Sequence, residues 1–71
     1  MENMKKMKVN VKKIRDDLIL TQEQFAKILE VNRSTVYSWE HGFSNPQTQT
    51  LKKIQLLCKG NKLNWKDYAN N

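Results

Sequence analysis

Three times between Asn10 and Trp39, a residue suited to closing a helix start stands directly ahead of apolar residues at helical spacing, which commits the chain to short α-helices. Asn10 precedes Val11, Ile14 and Leu18, at i, i+3 and i+7, and predicts a first helix over residues 11–18. Thr21 precedes Phe25, Ile28 and Leu29, with Gln24 in capping-box spacing, and predicts a second over 22–29. Asn32 precedes Val36 and Trp39, and Gly42 suits the end of a third helix over 33–41. Phe43 to Pro46 has turn chemistry and no period, with Phe43 available to cover the core. Leu51, Ile54, Leu57 and Cys58 then restore a stripe for a fourth helix over 48–59. Gly60 and Asn61 break the chain, leaving Leu63, Trp65 and Tyr68 on a short fifth segment that Asn64 can cap. No strand-like alternation or internal repeat is visible. The expected fold is all-α, a compact bundle of about five short helices over residues 9–71, after a basic tail over residues 1–8.

A chain of 71 residues has room for one domain and buries too little surface to enclose a large active site. Thirteen Lys and Arg against seven Asp and Glu leave a formal charge of +6, which favours a polyanionic partner. No stretch approaches the roughly 20 apolar residues of a membrane span, and no apolar core follows the N-terminal lysines, so a cytoplasmic location is expected. Cys58 stands alone in an apolar run and reads as a buried core residue in a reducing compartment. With one His, one Cys, no metal-ligand cluster and no glycine-rich phosphate loop, no catalytic set emerges. A non-enzyme without metal or cofactor is expected.

From Thr21 to Gly42 the string TQEQFAKILEVNRSTVYSWEHG resembles the helix-turn-helix of the Cro/repressor family, also called the xenobiotic-response-element type. The resemblance rests on Gln22 opening the second helix, small Ala26 where two helices touch, and Val31 with Asn32 leading into the third. Val36, Trp39, Glu40 and Gly42 follow at the family's spacing. Ile14 and Arg15 match its apolar-arginine pair upstream, and Pro46 with Leu51 and Ile54 matches its fourth helix. Two departures stand out: Ile19 and Glu30 occupy positions where the family usually has glycine. A positive φ at either costs on the order of 1 kcal/mol, more at the β-branched isoleucine. Otherwise the turn must differ locally.

The resemblance implies a lambda-repressor-like domain whose third helix enters the DNA major groove. It makes Arg33, Ser34, Tyr37 and Ser38 the base-facing positions. Arg33 either reads guanine with its planar fork or grips a phosphate, and Tyr37 either touches a thymine methyl or bonds a phosphate. Gln22, Asn32 and Thr48, at three helix starts, are candidate phosphate ligands, although capping alone also explains Asn32 and Thr48. Thr35, Ser44, Asn45 and Gln47 join them as phosphate-contacting candidates. Lys5, Lys6, Lys8, Lys12 and Lys13 form a basic cluster that either follows the duplex or is simply solvated, and Lys52 and Lys53 carry the same ambiguity. His41 reads as surface. Arg15 and Glu40 are expected to form a buried structural ion pair.

The function implied is a small dimeric repressor acting on an operator in double-stranded DNA. Leu63, Trp65 and Tyr68 are candidates for the homodimer interface, or else close the monomer core. Two alternatives share the motif: an antitoxin that also binds a toxin, and the controller protein of a restriction-modification system.

Overall fold

The computed structural model describes residues 8–70; the rest of the lysine-rich tail, residues 1–7 with Lys5 and Lys6, lies outside the described residues, as does residue 71. Four α-helices carry the fold: α1 (Val11–Asp17), α2 (Gln22–Leu29), α3 (Arg33–Glu40) and α4 (Thr48–Gly60). The expected fifth helix is a single 3-10 turn, Trp65–Asp67, opened by Asn64, whose Oδ1 accepts from the Lys66 N–H at 3.1 Å. Two residues at each end pair as a minimal antiparallel ladder, β1 (Lys8–Val9) with β2 (Ala69–Asn70), so Lys8, assigned to the tail, belongs to the folded unit. A two-residue strand is too short to show alternation, which is why the sequence gives no sign of it.

Capping sets the first two helix starts. Asn10 Oδ1 accepts from the Lys13 N–H at 3.1 Å. Thr21 and Gln24 form the reciprocal box, with Oγ1 accepting from the Gln24 N–H at 3.0 Å and Gln24 Oε1 from the Thr21 N–H at 2.9 Å.

All four helices end in one way. A residue of positive φ follows, and the next N–H reaches a carbonyl five residues back: Leu20 to Arg15 (3.1 Å), Val31 to Ala26 (2.9 Å), Phe43 to Ser38 (2.8 Å) and Leu63 to Cys58 (2.8 Å). The left-handed residues are Ile19 (φ 58), Glu30 (φ 62), Gly42 (φ 77) and Lys62 (φ 61). Ile19 and Glu30 thus keep the closure that glycine usually makes and carry its strain. Gly60, expected to break the chain, stays helical, and the stop falls at Asn61, whose Nδ2 donates to the Leu57 carbonyl at 2.8 Å.

The core is one cluster. Val11 and Ile14 from α1, Phe25, Ala26 and Leu29 from α2, Val36 and Trp39 from α3, Ile54 and Cys58 from α4, and Tyr68 are all buried. Ile28, expected to point inward, is 48% exposed. The inward arc of α2 runs from Phe25 through Leu29 to Ala26, and at 100° per residue Ile28 falls about 60° beyond its Phe25 edge. Tyr68 closes the monomer core: its hydroxyl donates to Asp17 Oδ2 at 2.7 Å and its carbonyl accepts from the Asn10 N–H at 2.8 Å. The hydrogen bond to the Asp17 carboxylate, together with the burial of the ring, pushes the Tyr68 phenol up to about 12.

Candidate nucleic-acid interface

Helix α3 is held by a single carboxylate. Arg15 Nε donates to Glu40 Oε2 at 2.6 Å and Nη2 to Oε1 at 3.1 Å, while Nη1 reaches the Leu20 carbonyl at 2.9 Å. The Gln22 amide adds a bond to Oε1 at 3.0 Å. With side-chain exposures of 13% for Arg15 and 3% for Glu40, the pair is nearly dry. Burial works to raise the Glu40 carboxyl, but the hydrogen bonds from Arg15 and Gln22 outweigh it and hold the group below its ordinary value. The same partner raises Arg15. One acid thus joins α1, the start of α2 and the end of α3. Gln22's inward bond is a structural contact that its place at a helix start did not reveal.

With Val36 and Trp39 buried on its inner side, α3 turns Arg33, Ser34 and Tyr37 to solvent, and Ser38 is half-buried beside them. The sequence carries one acid between residues 31 and 66, Glu40, against Arg33 and five lysines. Since Glu40 faces inward, the outer face of α3 presents donors, a cation and rings but no carboxylate. None of α3's own outward residues opposes an approaching anion, although Glu23 of α2 shares the recess beside Arg33.

Helix starts α3 and α4 differ from the first two. Asn32 and Gln47 sit at their N-caps, and neither side chain caps, nor does either first turn hold an acid. Capping therefore does not account for Asn32, and Thr48 is the first helical residue, not the cap. The Thr35 N–H bonds the Asn32 carbonyl at 3.0 Å, while the amides ahead of it in α3, and those opening α4, receive no bond from a capping side chain. Thr35, Ser44, Asn45 and Gln47 line one recess between α3 and the start of α4, together with Val31, Trp39 and Thr50. Thr50 shares this recess although nothing in its sequence position marks it. A second recess, between α2 and α3, is lined by Glu23, Lys27, Asn32 and Arg33 among others.

Several expected cations are engaged elsewhere. Lys12 pairs with Asp16 at 3.1 Å, Lys13 with Asp17 at 3.4 Å and Lys53 with Glu30 at 3.2 Å. The i, i+4 spacing on α1 accounts for the first two. Phe43 does not cover the core but stands 75% exposed. Its N–H bond to Ser38 and the left-handed Gly42 turn the chain outward at that point. Leu63 and Trp65 are half-buried and line an open groove with Leu56, Lys52, Lys59 and Lys62.

A helix laid across a second one through a tight left-handed turn, polar and acid-free outward and locked inward, defines a helix-turn-helix domain. A helix-turn-helix family model matches residues 11–60. The chain belongs to that family, the Cro/C1-type helix-turn-helix proteins of the xenobiotic-response-element class, a family that binds double-stranded DNA and is not one of enzymes. No curated protein and no solved structure gives a significant match. Among the described residues, no helix is long and apolar enough to cross a membrane, and no three His, Cys, Asp or Glu side chains gather to hold a metal ion.

Proposed function

We propose that the protein is a dimeric transcriptional repressor that lays α3 in the major groove of an operator. The observation that carries this reading is the outer face of α3, where Arg33, Ser34 and Tyr37 are exposed beside Ser38 while Glu40, the helix's own acid, is sequestered by Arg15. Arg33, at the exposed N-terminal end, donates to guanine O6 and N7, and the two serines and Tyr37 read neighbouring edges. Asn32, Thr35, Ser44, Asn45, Gln47 and Thr48, around the two uncapped helix starts, hold phosphates and set the register, with Gln22 supporting them from α2.

Selection of binding sites from random DNA by wild type and Arg33→Ala, at fixed salt, tests the assignment. The substitution is expected to lower specific affinity by about 1 to 3 kcal/mol and relax one symmetric base position, with non-specific binding nearly intact. Identical base preferences from both proteins would demote Arg33 to a phosphate clamp.

The second copy is assigned to the groove of Leu56, Leu63 and Trp65, where Leu56 is 68% exposed. A two-fold there sets two recognition helices about 34 Å apart on successive grooves. Its lysine rim makes association weaker at low salt, opposite in sign to DNA binding. Sedimentation showing monomers even on a selected duplex would refute the dimer. An antitoxin would need a segment free to wrap a toxin, and the commitment of Tyr68 to the core favours the plain regulator.

A further inference from the structure

Three rings crowd the C-terminal end of α3 outside the core. Tyr37 and His41, one turn apart, have ring centroids 3.9 Å from each other. Phe43 stacks on His41 at 6.1 Å and lies 6.5 Å from Tyr37. All three are exposed, Tyr37 by 46% and Phe43 by 75%, so the cluster adds little to folding stability. It is nevertheless fixed in place, because Phe43 follows the left-handed Gly42 and its N–H is held by the Ser38 carbonyl at 2.8 Å.

Ser34, Tyr37, Ser38 and His41 fall at i, i+3, i+4 and i+7 of one helix, so the rings prolong the stripe to which base contact is assigned above. The start of that stripe offers donors, whereas its end offers apolar ring edges. In the major groove one base presents an apolar group, thymine with its C5-methyl. We infer that the ledge of Tyr37, His41 and Phe43 selects thymine through that methyl at one position of each half-site. Phe43 and His41 are then specificity residues, and their packing holds the Tyr37 ring in one orientation before DNA arrives. This rests on the major-groove reading proposed for α3.

The test uses duplexes enriched from random DNA by the wild-type protein, with each thymine replaced singly by deoxyuridine, which removes only the methyl. Deoxyuridine at one thymine per half-site is expected to weaken wild-type binding about fourfold, the worth of roughly one buried methyl. Phe43→Ala, at an exposed position that leaves the melt in place, is expected to bind the thymine and deoxyuridine duplexes alike. A wild-type protein indifferent to every replacement would overturn the inference, as would a Phe43→Ala variant that keeps the full deoxyuridine penalty. Salt-dependent binding to the random pool is read alongside. If it persists while the deoxyuridine profile is flat, the ledge alone is refuted; if wild type binds no duplex at all, the reading of α3 falls with it.

Discussion

Replacing Glu40 by alanine removes the acceptor for two Arg15 donors and one Gln22 donor at once. Arg15, 13% exposed, keeps only the Leu20 carbonyl and a distant Asp16 oxygen at 3.9 Å. Breaking a buried pair from one side costs about 3 to 5 kcal/mol, because the stranded charge loses its chief partner without regaining full hydration. At roughly 0.05 to 0.15 kcal/mol per residue, a domain of this size holds about 4 to 11 kcal/mol in all, so the loss takes about a quarter of it or more. In a thermal melt followed by circular dichroism, 3 kcal/mol corresponds to a fall in Tm of about 12 °C or more. The pair also shapes the acid limb. The folded Glu40 carboxyl lies below its ordinary value, so its contribution is complete above that value and disappears as pH falls through the depressed folded one. Glu40→Ala should therefore show a shallower loss of stability below about pH 4.5 than wild type. A Tm drop under about 4 °C, roughly 1 kcal/mol, with an unchanged acid limb would refute the reasoning.

Ile19→Gly is expected to stabilise. It relieves about 1 to 2 kcal/mol of left-handed strain at an 88% exposed side chain, against about 0.4 to 1 kcal/mol of added chain entropy, and an unchanged or lower Tm would contradict this. The raised Tyr68 phenol makes its contribution complete below about pH 10, losing it as pH climbs toward about 12. Tyr68→Phe should flatten that alkaline limb, and absorbance at the phenolate band should show one of the two tyrosines ionising only near 12.

The helices were legible because caps and stripes are local. Thr21, Gln24 and the stripe from Phe25 to Leu29 fix α2 at the limits the sequence implies, 22–29, since every interaction that sets them lies within one turn. The polarity of α3 followed equally from Val36 and Trp39. The joint of Arg15 and Glu40 spans 25 residues and came from the family pattern, because no local rule links a cation on one helix to an acid on another. What escaped was decided by direction and tertiary pairing. Ile28 and Phe43 are apolar in composition yet point outward, and β1 meets β2 only when the chain has closed. Asn32 misled for another reason: its backbone takes the N-cap shape while its side chain bonds nothing there.

Cys58 is the chain's one cysteine, and its side chain has no exposed surface. Burial also pushes the thiol up, so the reactive thiolate is scarce as well as hidden. A thiol reagent consequently meets Cys58 through molecules that have opened around α4, and the labelling rate counts those openings in unmodified protein. Measured with and without duplex, the ratio of the two rates gives the protection that a bound partner confers. The core thus contains its own clock for the folded state, set by a sulfur that takes no part in binding.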